Sequence, residues 1–162
     1  MSELDLIQTL SHEEIQAIEI EIAHLPDRAS AAIDALLIVQ EHRGWVSDES
    51  LDAIARLLEM SPADLDSIAT FYNLIYRKPV GRHVIMVCDS VSCYVMGCDK
   101  LCRQMEDKLG VKMGQTTPDD RFTLLPIVCL GACDRAPVMQ IDEELIGPVA
   151  GDQLDQVLGR FE

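Results

Sequence analysis

The stretch FTLLPIVCLGACDRAPVMQID, from Phe122 to Asp142, decides how the C-terminal half of this chain folds. An apolar run typical of a strand ends at Cys129, and a second such run begins shortly after Cys133. The loop between the two cysteines contains Gly131, which permits a tight turn. The stretch therefore predicts two strands, joined by a loop that presents a pair of thiols.

An earlier stretch, HVIMVCDSVSC, from His83 to Cys93, is built in the same way. Its apolar run predicts a short buried strand, and Cys88 and Cys93 follow where that strand ends. Two strand ends that each carry a thiol pair predict one site, made by two loops. The candidate ligands are four cysteines: Cys88, Cys93, Cys129 and Cys133.

Two kinds of metal centre fit four thiolates at these spacings. Structural zinc commonly uses cysteine pairs with about two to four residues between them, so zinc is not excluded. A [2Fe–2S] cluster takes two thiolates on each iron, and we expect Cys88 and Cys93 on one iron and Cys129 and Cys133 on the other. The two wide loops favour the cluster. A thioredoxin-type dithiol is not expected, because the sequence contains no Cys-x-x-Cys motif.

The remaining pattern of the C-terminal half predicts a mixed sheet with helices. Residues from about 93 to 109 have the pattern of one helix that ends at Gly110, and GDQLDQVLGRF predicts a final amphipathic helix. A short apolar run, ELIG, predicts a fourth strand. The order strand, helix, three strands, helix resembles the thioredoxin-like fold, with the first two strands parallel and a hairpin near the end.

The N-terminal half has a helical period throughout. Apolar residues recur at helical spacing in four segments: Ile15, Ile18, Ile22 and Leu25; Ile33, Leu36 and Leu37; Leu51, Ile54, Ala55 and Leu58; and Leu65, Ile68, Ala69 and Tyr72. Ser61 and Pro62 favour the start of the last helix, with Asp64 placed to complete a capping box. These features predict a four-helix bundle.

A break in the helical pattern at RKPVGR separates the two halves. We expect a helical domain over residues 1–78 and a thioredoxin-like domain over residues 79–162, which makes the fold class α+β or α/β. Four basic residues cluster near this break and are expected to be a solvated linker: Arg77, Lys78, Arg82 and His83.

Composition narrows the function classes. The chain has 162 residues and a formal net charge of -15, which argues against nucleic acid and against anionic lipid headgroups as partners. No apolar run approaches the ~18 residues of a membrane span, so no direct membrane insertion is expected. The acidic start MSELDLIQTL is not typical of a secretory signal. Six cysteines are then expected to be reduced thiols in the cytoplasm, suited to metal binding.

Several motifs together resemble a known family. VCDSVSC, GQTTPDDRFTLLP and CLGACDRAP are similar to the family of thioredoxin-like [2Fe–2S] subunits, type E, of bacterial NADH-quinone oxidoreductase, respiratory complex I. In the helical half, LLIVQEHRGWVSDESLDAIA and SIATFYNLI resemble the same family. The likeness runs from about Ile15 to the C-terminus. Cysteines fill all four ligand positions of the family, at Cys88, Cys93, Cys129 and Cys133.

The resemblance implies a function that spacing does not supply. It implies an electron-transfer subunit with one [2Fe–2S] cluster, working beside an FMN- and NADH-binding subunit and other subunits of the peripheral arm. It places the chain on the cytoplasmic side of the bacterial inner membrane, as part of an ion-translocating NADH:quinone oxidoreductase. FMN and NADH are expected on the partner, because this chain has no GxGxxG and no P-loop.

Two alternatives stay open. Soluble NAD-linked hydrogenases and formate dehydrogenases have an equivalent diaphorase subunit with the same ligand pattern. A zinc-stapled assembly protein without a redox role would use the same four thiols.

Other residues have simpler interpretations. Cys98 and Cys102 lie four apart on a predicted helix and are expected to be small buried side chains. Four methionines are expected to fill the core: Met96, Met105, Met113 and Met139. The apolar run ATFYNLIY, which ends the helical half, exceeds what one helix face can bury and predicts contact with the thioredoxin-like half or with a partner.

Overall fold

The computed structural model describes residues 9–161, in which the chain divides into two compact units after Pro79. The first eight residues, on which the expectation about a secretory signal rests, lie outside this range. Over its described residues, from 9 onwards, the first unit has four α-helices, named here in chain order: α1 (His12–Ala23), α2 (Ala32–Arg43), α3 (Asp48–Leu57) and α4 (Pro62–Phe71). A 3-10 turn, Arg28–Ala31, precedes α2.

Serine residues begin three of these helices. The hydroxyls of Ser11, Ser47 and Ser61 each accept a hydrogen bond from the backbone N–H three residues later, which satisfies a donor that the helix leaves unpaired. The capping box expected at Ser61 is incomplete, because the Ser61 hydroxyl donates to the Asp64 carboxylate at 2.7 Å. The Asp64 carboxylate accepts a hydrogen bond from the Ser61 hydroxyl and not from the Ser61 backbone N–H.

The apolar faces of the four helices share one core. Fully buried side chains come from every helix and include Ile18, Leu36, Ile54 and Leu65. Contacts join α1 to α2, α2 to α3 and α4, and α3 to α4. The helical stripes predicted from the sequence therefore face one another.

A buried ion pair ties α1 to α2. The side chain of Glu14 is 2% exposed and accepts hydrogen bonds from Arg43 at 2.6 and 2.5 Å and from the Ser11 backbone at 2.7 Å, which completes a capping box. Arg43 also donates to Ser50 and to the Thr9 carbonyl. Burial alone would raise the pKa of Glu14, but the hydrogen bonds and charge of Arg43 outweigh burial and lower it.

Glu14→Ala is expected to lower the free energy of unfolding by about 2 kcal/mol at pH 7, because it leaves Arg43 partly buried without its carboxylate. Urea unfolding measures this loss. The lowered pKa of folded Glu14 means that the stabilisation is complete above the unfolded pKa and lost as the pH falls through the folded one. The gap between wild type and variant should then shrink below about pH 4.3. An equal loss in Glu13→Ala, whose side chain is exposed, would contradict the prediction.

The expectation that Arg77 belongs to a solvated linker is wrong. The Arg77 side chain is 18% exposed and donates to Asp66 at 3.0 Å, to Asp48 at 2.6 Å and to the Val46 carbonyl. The Val46 N–H donates in turn to the Tyr76 carbonyl at 2.8 Å. Arg77 is therefore part of the helical unit, and it fixes the chain that follows α4.

The second unit is built on one five-stranded sheet. Its strands are β1 (His83–Cys88), β2 (Gln115–Thr116), β3 (Phe122–Ile127), β4 (Met139–Ile141) and β5 (Glu144–Ile146), in the spatial order β2-β3-β1-β4-β5. β1 and β3 are parallel, and every other pairing is antiparallel. The predicted parallel pair and the final hairpin are confirmed. The short edge strand β2 was not predicted.

Two helices, not one, connect β1 to β2. The helix predicted over residues 93 to 109 is α5 (Val91–Val95) followed by α6 (Cys98–Leu109), and Gly97 at φ 100° separates them. This left-handed conformation favours glycine and cannot continue a helix. The predicted end at Gly110 is confirmed, since α6 ends there. The last helix is α7 (Leu154–Leu158), preceded by a 3-10 turn.

The core of the second unit lies between the sheet and the helices α6 and α7. Its fully buried side chains include Ile85, Met105, Leu124, Met139 and Leu154. Met105 and Met139 confirm their assignment to the core, and Met113 packs against it. The prediction that Met96 fills the core is wrong, because this side chain is 60% exposed beside the glycine that follows α5. Within residues 9–161, no helix combines the length and the apolar character needed to cross a membrane.

Candidate iron–sulfur centre

Three chain segments meet at one edge of the sheet. Cys88 is the last residue of β1 and lies opposite Ile127, the last residue of β3. Parallel strands end at the same edge, so the loops after β1 and β3 leave the sheet together. β4 runs antiparallel to β1 and begins at this edge, where the Cys88 N–H donates to the Val138 carbonyl at 3.1 Å. The sheet topology thus brings both cysteine loops to one place.

The first cysteine pair is buried. Cys88 and Cys93 are 2% and 1% exposed, and the Cys88 thiol donates to the Val128 carbonyl at 3.9 Å. Cys93 lies on α5, which turns it back towards the end of β1. The Val138 backbone also hydrogen-bonds to the Cys93 thiol. Val138 therefore contacts both members of the pair through its main chain.

The second pair is exposed. Cys129 follows β3 on an open loop, and Cys133 begins a 3-10 turn, Cys133–Arg135. The Gly131 N–H lies 3.3 Å from the Cys129 sulfur and donates to it. Gly131 has φ 72°, a conformation that points its amide back at the sulfur and that side chains disfavour. Hydrogen bonds of this kind stabilise a metal-bound thiolate.

The pKa of the Cys93 thiol depends on cysteines of both loops. Burial raises the pKa of the Cys93 thiol, the Val138 hydrogen bond opposes this, and the neighbouring Cys88 and Cys133 raise the pKa further. The influence of Cys133 indicates that the second loop lies beside the first. Without a metal, Cys93 stays protonated at neutral pH, and a bound metal must displace that proton.

The donor set fits a [2Fe–2S] cluster. All four thiols are free, they come from two loops at one edge, and they form one buried and one exposed pair. In the part of the chain that the structure describes, no three His, Cys, Asp or Glu side chains are grouped as ligands of one metal ion. A [2Fe–2S] cluster requires two thiolate ligands at each of two irons, whereas tetrahedral zinc requires four donor atoms around one ion. The paired arrangement meets the first demand more closely.

An exposed apolar surface adjoins these cysteines, and the sequence analysis missed it. We call it the cysteine-side apolar face; its members are 60% to 76% exposed and are Val91, Tyr94, Val95, Met96 and Val128. The signal was present in the sequence, because Cys93 alone faces inward on a short helix whose other large residues are apolar. A surface of this kind is typical of a protein–protein contact.

Cys98 and Cys102 lie on α6 and have the environment of structural residues. Cys98 is 1% exposed, and burial raises its pKa. Burial also raises the pKa of Cys102, to about 11, with smaller contributions from Cys98 and Asp99. Burial favours the protonated thiol here as it does at Cys93, so it is the position of this pair on α6 that distinguishes it from the candidate ligands. Cys98 is buried as expected, whereas Cys102 is only partly buried.

Comparison with known proteins identifies the class. The family model described as thioredoxin-like [2Fe-2S] ferredoxin matches residues 18–162. The chain belongs to the thioredoxin-like [2Fe–2S] ferredoxin family, as the cysteine motifs predicted. Its cofactor is accordingly one [2Fe–2S] cluster.

Relatives within this family carry one name. The E-type subunit of NADH-quinone oxidoreductase from Pseudomonas aeruginosa is 46% identical over 165 residues, which covers 99% of this chain and 99% of that protein. The protein of the same name from Escherichia coli is 47% identical over 153 residues, or 94% of this chain and 92% of that protein. These matches confirm the predicted family over both halves of the chain.

A solved structure shares the fold. The crystal structure of an NAD+-reducing [NiFe]-hydrogenase in the air-oxidised state superimposes with a TM-score of 0.65 at 21% identity. The match covers 78% of this chain and 22% of the hydrogenase chain, so this chain corresponds to about a fifth of that one. At such low identity the likeness concerns the fold alone.

Proposed function

We propose that Cys88, Cys93, Cys129 and Cys133 hold the cluster, and that the chain is an electron-transfer subunit of NADH-quinone oxidoreductase. The observation that carries this proposal is the meeting of two free-thiol pairs at one sheet edge, in a chain of this family. When bound, the cluster accepts and returns one electron at a time.

The protein's own residues set the conditions for that transfer. The buried pair shields one side of the site from water, while the exposed pair leaves the other side open towards a partner. Reduction adds negative charge to a chain whose net charge is already -15, which lowers the reduction potential. The Gly131 N–H opposes this by donating to the Cys129 sulfur. A low-potential acceptor suits a flavin that NADH reduces.

The cysteine-side apolar face is the contact surface for the FMN- and NADH-binding subunit. Electron transfer needs the donor close to the cluster, and this face includes Val128, which directly precedes Cys129, and residues of the helix that carries Cys93. Large apolar and aromatic side chains are the residues that form the centre of protein interfaces. Burial of such residues is not screened by salt, so the association should survive moderate ionic strength.

The helical unit supplies a second contact surface, towards the flavin subunit or another subunit of the peripheral arm. Phe71, Tyr72 and Leu74 are 80%, 43% and 47% exposed at the end of α4. Gln40 fixes this segment by donating to the Leu74 carbonyl at 2.9 Å and accepting from the Tyr76 N–H at 2.6 Å. A surface that is ordered before binding costs little further entropy on contact.

The finer organisation belongs to the same proposal. The helical unit is a four-helix bundle, supported by its shared core, and it forms one domain with the boundary near residues 78 and 79. Within the assembled complex, this chain is peripheral and lies on the cytoplasmic side of the bacterial inner membrane. The complex oxidises NADH, reduces quinone and translocates ions.

A diaphorase subunit of a soluble NAD-linked hydrogenase is the second candidate, favoured by the shared fold with the NAD+-reducing hydrogenase. The same site serves both functions, because either partner presents a flavin to the cluster. Neighbouring genes separate the two, since membrane-subunit genes accompany only the respiratory complex. The weaker zinc-stapled alternative predicts a colourless protein.

The purified full-length chain is expected to show visible absorption that dithionite bleaches, with about two irons and two acid-labile sulfides per chain. It is also expected not to oxidise NADH, because it contains no nucleotide-binding motif. Iron, sulfide and zinc analyses measure the first expectation, and an NADH oxidation assay measures the second. A colourless chain with stoichiometric zinc would contradict the proposed function, as would NADH turnover without the flavin subunit.

A further inference from the structure

Gly147, which directly follows β5, lies against the segment that carries Cys133. A β-carbon at this position would come within 2.7 Å of the Arg135 carbonyl oxygen and 2.4 Å of the Val138 Cγ1 atom. Real side chains do not tolerate such distances, and the first of these neighbours is main chain, which cannot rotate away. Only glycine lets the end of β5 approach this closely.

The two neighbours of Gly147 are the parts of the chain that hold the cysteines. Arg135 ends the 3-10 turn that begins at Cys133, a turn closed by the hydrogen bond from the Arg135 N–H to the Ala132 carbonyl at 3.0 Å. Val138 accepts from the Cys88 N–H and hydrogen-bonds to the Cys93 thiol. A shift of this segment therefore moves three of the four cysteines relative to one another.

Backbone hydrogen bonds on both sides of Gly147 hold β5 against the Arg135–Val138 segment. The Val149 N–H donates to the Pro137 carbonyl at 3.0 Å, two residues beyond Gly147. β4 pairs with β5, and Met139 lies opposite Ile146. Since both contacts hold β5 in place, an added methyl group at residue 147 must displace the Arg135–Val138 segment.

We propose that Gly147 is a positioning residue for the cluster. This role rests on the proposed function, since it requires the four cysteines to be the ligands of the cluster. The missing side chain of Gly147 lets β5 support the Cys133 turn and the Val138 main chain from behind, which fixes the geometry of the thiolates. Gly147 itself contacts none of the sulfur atoms in this role, and it acts through Arg135 and Val138.

The test compares Gly147→Ala with Gly151→Ala, both as full-length chains. At Gly151 an added methyl group meets only the movable amide of Gln104, so this variant is the matched control. Gly147→Ala is expected to release iron to a chelator about tenfold faster than wild type, and to change the visible circular dichroism and the EPR g-values of the reduced cluster. Gly151→Ala is expected to match wild type in all three measurements.

The companion variant Val138→Ala removes one of the two clashes. Adding it to Gly147→Ala is expected to restore part of the chelator resistance relative to Gly147→Ala alone. If Gly147→Ala does not accumulate as folded protein, the double variant is compared with Val138→Ala alone, and faster release is expected in the double variant. Wild-type release and spectra in Gly147→Ala, or equal release in those last two variants, overturn the proposal.

Failure of the proposed function gives a different result. In that case the wild-type chain itself contains no iron and no sulfide, and Gly147→Ala cannot be distinguished from it by either content. A wild-type chain without iron therefore contradicts the proposed function. An iron-containing wild type with the same chelator release as Gly147→Ala contradicts only the role proposed for Gly147.

Discussion

Cys129→Ala is expected to lose its cluster, with iron and acid-labile sulfide at least about tenfold below wild type after purification. In the proposed site Cys129 is one of two thiolates on one iron, so alanine would leave that iron with a single protein ligand. Visible absorption and iron analysis on the full-length chain measure the loss. Circular dichroism in the far ultraviolet should show that the sheet and helices remain.

The matched control for this prediction is the double variant Cys98→Ala with Cys102→Ala. Both thiols lie on α6 and are not among the four proposed ligands, so we expect wild-type iron and sulfide contents. If the double variant loses its iron while Cys129→Ala keeps it, the ligand assignment is wrong. Small losses of stability in the double variant are compatible with the proposal, because Cys98 is buried.

Val95→Asp is expected to weaken binding of the flavin subunit by about 30-fold or more, without loss of iron. Val95 is 76% exposed at the end of α5, so a carboxylate there remains hydrated in the free chain. In the complex, the same carboxylate would be buried in an apolar contact without a partner. Titration of the flavin subunit with cluster-containing chain measures the dissociation constant.

Gln156→Asp controls for added negative charge, because Gln156 is exposed on α7 and lies outside the cysteine-side apolar face. It should bind within about twofold of wild type. Equal weakening by both variants would mean that charge alone governs association, and unchanged binding of Val95→Asp would remove this face from the interface. Phe71→Asp, assayed in the same way, measures the share of the second surface on the helical unit.

Much of the site's framework follows from sequence because strand and thiol positions are local. Cys88 and Cys129 each follow an apolar run, and parallel strands must end at one edge, so two strand ends were enough to predict one site. The cap at Gly110 was predictable for a similar reason, since a single residue determines the end of a helix.

The errors arose where tertiary contacts override local pattern. Residues 93–109 have a helical pattern in which Gly97 is an isolated glycine, yet Gly97 adopts a left-handed conformation, and Cys93 and Cys98 turn inward on separate helices. Arg77 resembles a linker residue in sequence, but its acceptors lie at Val46, Asp48 and Asp66, far away along the chain. The close approach at Gly147 involves Arg135 and Val138, and no sequence period announces it.

The core of the second unit has a consequence for how the mature protein is made. That core consists of residues such as Ile85, Met105, Leu124 and Leu154, and the four proposed ligand cysteines lie outside it. Folding of the sheet therefore does not wait for iron, and the apoprotein should be a stable intermediate of biogenesis. Cys129 and Cys133 stay open to solvent in that state. In that state these two thiols form the accessible side of the proposed site.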